Sequence, residues 1–164
     1  MPIYIGYFIF PKKILKKQVA LSACLLGQTC RYDASDNLNK ALLHTLKNYD
    51  IVPFCPEDYA FGTPRPTMDL ILNEDETQAI SNENHQNLSE PILDYTKSFF
   101  EKNSNIELFI GKDRSPSCAV CSGKVYDKNK NLLHKNGTGL MAQVAVDLEI
   151  EAWDAEVYLK AHTS

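Results

Sequence analysis

The sequence has no apolar run approaching the roughly 20 residues that a membrane-spanning helix needs, and it has no excess of basic residues. Its 17 Lys and Arg are outnumbered by 21 Asp and Glu, which gives a net charge of −4. Proteins that bind nucleic acid ordinarily use Lys and Arg to neutralise phosphates. Nucleic acid is therefore an unlikely partner, no membrane partner is expected, and a small molecule is the expected ligand. The sequence gives no indication of an oligomeric state.

The sequence also lacks the order of features that marks an export signal. Residues 3–10 are apolar, but lysines follow this stretch instead of preceding it, and Pro11 interrupts any helix. We therefore expect residues 1–17 to form an N-terminal extension, either an edge strand or a mobile segment. We expect the protein to be cytoplasmic, where thiols stay reduced.

Residues 18–164 show no repeat, linker or break in composition, which predicts one domain. Short apolar runs alternate with segments of helical periodicity, a pattern typical of a parallel sheet covered by helices. We expect an α/β fold, a single-domain three-layer α/β/α sandwich with a mostly parallel, Rossmann-like sheet. The predicted strands are 18–23, 51–54, 68–72, 106–110 and 150–153, and the predicted helices are 36–49 (with Ser35 or Asp36 as N-cap), one from 89 onward, and 140–148.

Three of the five cysteines lie where predicted strands end. Cys24 closes the first strand, Cys55 closes the second, and Cys118 lies in the loop after the fourth. In an open parallel sheet the carboxyl ends of the strands share one edge, and ligands bind there. We therefore expect these three thiols to share one site. The alternative for any single cysteine is a small buried apolar side chain.

An odd number of thiols in a reducing compartment points to metal binding or catalysis before disulfides. Structural zinc ordinarily has four ligands in two close pairs, and this chain has one C-x-x-C, Cys118 and Cys121. An iron–sulfur cluster is the other soft-ligand candidate, and three thiolates would leave one iron open. Two alternatives remain, a non-catalytic zinc or metal-binding domain built on the Cys118/Cys121 pair, and a redox dithiol there. The redox alternative is weaker because such dithiols open a helix, whereas Ser122-Gly123 follows the pair.

Four motifs then occur in order, SACLLGQTCRYD (22–33), CPEDYAFGTPRP (55–66), RSPSC (114–118) and GTG (137–139). Together they resemble the thiouracil desulfidase family (domain of unknown function 523) over residues 18–153. The resemblance implies an enzyme that removes sulfur from a small thiolated pyrimidine such as 2-thiouracil. It implies a [4Fe-4S] cluster bound by Cys24, Cys55 and Cys118, whose open iron binds the substrate sulfur while water replaces it at carbon. Free base, nucleoside and RNA fragment remain open as substrates, and the acidic chain favours the free base.

Residues beside the implied ligands are the candidates for the chemistry. Water attack needs a base within hydrogen-bond reach, and Glu57 is the candidate base, with Ser117 as a second catalytic candidate. The candidates for substrate binding are Arg31, Tyr32, Arg65, Ser115 and Gly139. Each candidate also has an alternative role that needs no substrate. Glu57 would be a solvated carboxylate, the serines would cap turns, and the arginines would form ion pairs with Asp33 or Asp58. Tyr32 would be a half-buried packing residue, and Gly139 would allow a close backbone approach.

Three positions depart from the family pattern. Glycine is usual after RYD and after SPSC, where this chain has Ala34 and Ala119, and Cys121 has no regular counterpart in the family. These differences leave the implied ligands in place. We expect Cys121 to be dispensable for cluster binding.

Overall fold

The computed structural model describes residues 15–163, so most of the expected extension at residues 1–17 lies outside the described residues. Within that range no helix has both the length and the apolar character needed to cross a membrane. The strands are β1 (Gln18–Ser22), β2 (Asp50–Phe54), β3 (Met68–Asn73), β4 (Glu76–Ser81), β5 (Ile106–Gly111), β6 (Gly123–Tyr126), β7 (Leu132–Gly137) and β8 (Glu151–Asp154). The helices are α1 (Lys40–Thr45), α2 (Pro56–Phe61), α3 (Ser89–Lys102), α4 (Leu140–Asp147) and α5 (Ala155–His162), and a short 3₁₀ helix, Ala23–Leu26, follows β1.

The first sheet has the strand order β2-β1-β5-β8, and all its neighbours are parallel. Its four strands coincide with predicted strands, so the α/β class and the mostly parallel sheet are confirmed. The chain moves from β1 to β2 on one side of the sheet and later to β5 on the other side of β1. The strand order therefore reverses at β1, and open α/β sheets have their ligand-binding crevice at such a point.

A second sheet, absent from the expected single-sheet sandwich, has the order β4-β3-β6-β7. It consists of two antiparallel hairpins joined by a parallel contact between β3 and β6. Of these four strands the sequence analysis predicted β3 alone. The residues of β7 are exposed except for Gly137 and carry no alternating apolar pattern. The prediction of one sheet for the whole domain was therefore incomplete.

Two faces of the first sheet carry separate parts of the core. Val19 and Leu21 of β1 belong to the cluster that includes α1 and α5, whereas Ala20 belongs to the cluster that includes α3 and α4. This alternation follows from the two-residue period of a strand. Strand β1 is fully buried along residues 19–21 because helices pack on both sides of it.

Helix α1 is shorter than the predicted 36–49, and the predicted N-caps are wrong. The N–H groups of Asn37 and Asn39 donate to the carbonyl oxygens of Cys24 (2.9 Å) and Leu25 (3.1 Å), so this segment is tied to the 3₁₀ helix. The side chain of Asn39 caps the helix by accepting from the N–H of Leu42 at 3.0 Å. Helices α2 and α5 were not predicted, since six and eight residues give little periodic signal.

Candidate functional site

The carboxyl ends of three adjacent strands bring three cysteines together. Cys55 directly follows β2, Cys24 lies in the 3₁₀ helix after β1, and Cys118 lies in the loop 112–122 after β5. All three line one cavity of about 360 Å³. This volume is at the small end of the range for ligand pockets. The site lies at the crevice expected for the strand order.

Two glycines leave room for the backbone of Cys118. A Cβ atom at Gly111 would overlap the carbonyl oxygen of Cys118, and a Cβ atom at Gly139 would lie 2.7 Å from its nitrogen. Neither position has space for a side chain. Gly139 is not among the residues that line the cavity, so the structure places it in the close backbone approach that was the alternative to a substrate contact.

Helix α4 holds the loop of Cys118 from one side. The N–H groups of Leu140 and Met141 donate to the carbonyl oxygens of Pro116 (3.1 Å) and Ser117 (2.9 Å). These bonds satisfy amides of the first helical turn, which have no partner within the helix. The start of α4 and the Cys118 segment therefore form one hydrogen-bonded unit.

A fourth cysteine, Cys30, also lines the cavity, and the sequence analysis assigned it no role. The Cys55 sulfur lies 3.7 Å from the Cys30 carbonyl oxygen. A hydrogen bond from the Cys30 thiol lowers the pKa of Cys55 and raises the pKa of Cys30 itself. Of Cys55 and Cys30, Cys55 therefore loses its proton more readily. The signal that could have found Cys30 is its place in the same motif as Cys24.

The thiols of Cys24 and Cys118 favour the protonated form. Burial raises the pKa of Cys24, against a hydrogen bond from the Asn37 amide. Burial raises the pKa of Cys118 well above its usual range, and hydrogen bonds with Ser22 and Ser115 offset only part of this effect. Metal binding to these sulfurs must therefore release protons.

Glu57 lies in the first turn of α2 and lines the cavity, and its side chain is 14% exposed. Its Oε1 atom is 3.7 Å from Nε of Arg65. Arg65 does not pair with Asp58, whose carboxylate instead accepts from the Thr63 hydroxyl. Glu57 is thus a largely buried carboxylate held in an ion pair, which differs from the solvated loop residue of the alternative.

The guanidinium of Arg65 is fixed by three hydrogen bonds. Its Nη2 donates to the Cys30 carbonyl oxygen at 2.7 Å, and its Nη1 donates to the Gly62 carbonyl oxygen at 3.0 Å and the Thr63 hydroxyl at 2.9 Å. Its Nε is buried and has no hydrogen-bond partner among the described residues. Arg65 therefore holds Glu57 and Cys30 in place and retains one unused donor.

Arg31 and Tyr32 line the outer part of the site. The Arg31 guanidinium lies 5.5 Å from the centre of the Tyr32 ring and donates to the Ser35 hydroxyl at 3.2 Å. The Asp33 carboxylate accepts from the same Ser35, so the predicted alternative of an Arg31–Asp33 ion pair does not form in the described part of the chain. Tyr32 is 43% exposed. Both side chains are accessible to a ligand in the cavity.

The two serines before Cys118 differ in position. The Ser115 hydroxyl oxygen accepts from the N–H groups of Ser117 (3.2 Å) and Cys118 (3.1 Å), which is the predicted turn-capping alternative, and Ser115 also lines the cavity. Ser117 is fully buried outside the cavity lining, and its hydroxyl has no partner in residues 15–163. Ser115 is therefore the serine that is placed to reach a ligand.

Cys121 lies outside the cavity lining, and its thiol donates to Oδ2 of Asp154 at 3.3 Å. Within the described range, no three His, Cys, Asp or Glu side chains converge closely enough to hold a single metal ion. Cys118 lines the cavity and Cys121 does not, so the pair on which the zinc and redox alternatives depend is divided between the cavity and its outside. Three thiols spread around a cavity fit a cluster in which each thiolate binds a different iron.

Comparisons with known proteins identify the family. The family model described as 2-thiouracil desulfurase matches residues 19–156. Among solved structures, the chain is similar to the [4Fe-4S]-dependent thiouracil desulfidase TudS (DUF523Vcz), with a TM-score of 0.67 and 25% sequence identity over 90% of this chain and 95% of that chain. A search of curated proteins gives no match.

Proposed function

Because this chain belongs to the 2-thiouracil desulfurase family, we propose that it removes sulfur as sulfide from a thiolated pyrimidine such as 2-thiouracil. The observation that carries the proposal is the meeting of three free thiols, Cys24, Cys55 and Cys118, at one cavity. We assign to them a [4Fe-4S] cluster, the cofactor on which the similar desulfidase depends. All five cysteines are free thiols, which fits a cytoplasmic enzyme.

The proposed reaction is a hydrolysis without net oxidation or reduction. The carbon–sulfur double bond is replaced by a carbon–oxygen double bond, water supplies the oxygen, and its two protons leave with the sulfur as hydrogen sulfide. When bound, the cluster would supply a Lewis-acidic iron without a thiolate ligand, which polarises the carbon–sulfur bond. The protein residues would bind the pyrimidine and move the protons.

Glu57 is the proposed general base. Its carboxylate lies in the cavity two residues after Cys55, and the ion pair with Arg65 fixes its orientation. A carboxylate held in this way would accept a proton from the water that attacks the thiocarbonyl carbon. Ser117, the second catalytic candidate, lies outside the cavity lining, so we give the contact with the substrate to Ser115.

Arg31, Tyr32 and Ser115 are the proposed substrate-binding residues. A pyrimidine ring presents flat faces and carbonyl oxygens, and these match an aromatic ring, a guanidinium and a hydroxyl. The cavity of about 360 Å³ must hold the cluster and the substrate together. The acidic chain, with a net charge of −4, favours a free base over an RNA fragment.

Anaerobic reconstitution with iron and sulfide tests the ligand assignment. Cys24→Ser, Cys55→Ser and Cys118→Ser should each lose the iron content and the visible absorption of the cluster. Cys121→Ser is the matched control, and it should retain both. A cluster that survives each of the three ligand substitutions would contradict the assignment.

Sulfide release from a panel of thiolated pyrimidines tests the activity. We expect Glu57→Gln to lower kcat about 100-fold, at the lower end of general-base contributions, with the iron content unchanged. Free 2-thiouracil, its nucleoside and a thiolated oligonucleotide are compared at equal concentration. The assignment of Glu57 is wrong if Glu57→Gln turns over at the wild-type rate.

A further inference from the structure

Asp154, the last residue of β8, accepts four hydrogen bonds from three consecutive residues shortly after Cys118. Its carboxylate is 1% exposed. The donors are the N–H groups of Val120 (2.8 Å) and Cys121 (2.9 Å), the Ser122 hydroxyl (2.9 Å) and the Cys121 thiol (3.3 Å). Hydrogen bonds to an ionised acceptor are stronger than those between neutral groups.

No Lys, Arg or His in residues 15–163 forms an ion pair with this carboxylate. A buried anion without a counter-ion is unfavourable unless its hydrogen bonds compensate. A second turn is held by a partly exposed carboxylate. Asp127 accepts from the N–H groups of Asn129 (2.8 Å) and Asn131 (2.9 Å) and from the Asn131 amide (3.0 Å). Holding a turn therefore does not require a carboxylate as buried as that of Asp154.

The location of Asp154 connects it to the cavity. Its backbone pairs with Gly111, the residue that has no room for a side chain because the Cys118 carbonyl oxygen lies against it. Helix α4 holds the segment before Cys118. The segment after it is held on its carbonyl side by the Gly139 N–H and the Thr138 hydroxyl, which donate to the Ala119 and Val120 carbonyl oxygens at 2.7 Å each, and on its N–H side by Asp154. Cys118 is fixed from both directions along the chain.

We propose that Asp154 is a positioning residue that fixes the loop of Cys118 for cluster binding, with Cys121 acting as one of its hydrogen-bond donors. The inference rests on the proposed function insofar as Cys118 is a ligand. Loss of the carboxylate would leave Cys118 in the chain and free the N–H groups that follow it, while the bonds from Gly139 and Thr138 remain. Cys121 then needs no metal or redox role.

Asp154→Asn is the informative variant, because an amide cannot accept on both sides. One orientation leaves the Val120 N–H without an acceptor, and the other leaves the Cys121 N–H without one. Two rates are measured, alkylation of each cysteine in the cluster-free full chain by mass spectrometry, and iron release from the reconstituted protein to a chelator. We expect both the alkylation of Cys118 and the iron release to become about tenfold faster.

Asp127→Asn is the matched control, since it removes the same kind of contact from an exposed turn, and both rates should equal those of the wild type. A purely structural effect of Asp154→Asn would accelerate alkylation of Cys24 as much as that of Cys118. Equal acceleration of both cysteines, or no acceleration of Cys118, overturns the proposal. Cys121→Ser should behave as wild type because a serine hydroxyl also donates.

A failure of the proposed function can be distinguished from a failure of the proposal for Asp154. A wild-type protein that takes up no cluster contradicts the desulfidase assignment, and the alkylation rates still decide whether Asp154 fixes Cys118. If circular dichroism shows that Asp154→Asn does not fold, Asp154→Glu replaces it, which keeps the charge and displaces the carboxylate from the Val120 and Cys121 N–H groups. Faster alkylation of Cys118 than of Cys24 in Asp154→Glu supports the proposal, and unchanged rates overturn it.

Discussion

The two loops that carry buried cysteines are held in different ways. The Cys24 loop (residues 23–39) is held largely by its own backbone, for example by the N–H groups of Gly27 and Asn37, which donate to the Cys24 carbonyl oxygen at 3.1 and 2.9 Å. The Cys118 loop (residues 112–122) is held by other elements, namely β5, α4 and Asp154. Outside its own bonds, the first loop is tied to Arg65, which donates to the Cys30 carbonyl oxygen at 2.7 Å. The position of Cys118 therefore depends on more of the other elements than the position of Cys24 does.

The exposed part of the Cys24 loop also forms the outer wall of the cavity. Arg31 and Tyr32 project from a turn closed by the Ala34 N–H, which donates to the Arg31 carbonyl oxygen at 2.9 Å. The Tyr32 carbonyl oxygen accepts from the Arg65 N–H at 2.9 Å, whereas the Cys24 carbonyl oxygen accepts from Gly27 and Asn37, so the turn and Cys24 have different hydrogen-bond partners. Each loop thus contributes one proposed cluster ligand, Cys24 or Cys118, and the outer turn of the first loop contributes Arg31 and Tyr32 to substrate binding.

Gly111→Ala should have the largest effect, because the new Cβ atom would overlap the carbonyl oxygen of Cys118. We expect a loss of about 3 kcal/mol in the free energy of unfolding, at the upper end for overpacking, and loss of the cluster after reconstitution. Urea unfolding and iron analysis measure the two effects. Wild-type iron content in this variant would show that the Cys118 loop tolerates displacement, and the comparison would fail.

Arg31→Ala should alter substrate binding and leave the cluster intact. We expect KM for the thiolated pyrimidine to rise about tenfold, in line with a lost hydrogen bond to a charged group. Iron content and steady-state kinetics of the reconstituted protein separate the two effects. Lys130→Ala, which removes a surface ion pair with Asp69, serves as the control and should leave KM unchanged. Loss of the cluster in Arg31→Ala would contradict the division between the loops.

Gly27→Ala is the matched substitution in the Cys24 loop. Gly27 has φ of 90°, in the left-handed region, and the nearest atom to a new Cβ is a Leu38 methyl carbon at 3.5 Å. We expect strain of about 1 kcal/mol in the free energy of unfolding, with the cluster retained. A loss of stability as large as that of Gly111→Ala would remove the contrast between the two loops.

Ala34→Gly should have the smallest effect, and it should stabilise the protein. Ala34 has φ of 61°, at the position where the family pattern has glycine. Relief of left-handed strain should exceed the entropy that glycine adds to the unfolded chain, for a net gain of about 0.5 kcal/mol. Thermal and urea unfolding measure the change. A lower melting temperature would show that the turn holds Ala34 without strain.

The sequence predicted the parts of the site that follow from strand ends. Buried strands such as β1 and β5 have continuous apolar runs, and the cysteines after them meet because parallel strands end at one edge. The site residues Cys30 and Asp154 were not assigned, since their roles depend on contacts between distant segments. The Cys121–Asp154 hydrogen bond, for example, joins residues in different elements, and a C-x-x-C spacing does not show it.

The close approach of two backbone segments was the other feature that the sequence could not predict. Gly111 occurs as an ordinary strand residue in the sequence, and only the packing of the Cys118 carbonyl against it reveals why no side chain fits there. The exposed β7 and the short helices α2 and α5 carry weak periodicity, so they were missed for a different reason. Periodicity identified the buried strands of the sheet, whereas contacts between loops determined the details of the site.

The attachment of the Cys118 loop to Asp154 has a consequence for biosynthesis. Ribosomes release a chain from its N-terminus onward, so Cys24, Cys55 and Cys118 all emerge before β8 exists. Until β8 pairs with β5, the segment after Cys118 has no carboxylate to hold it. The Cys118 loop therefore gains its full set of hydrogen bonds only after β8 has emerged and paired with β5.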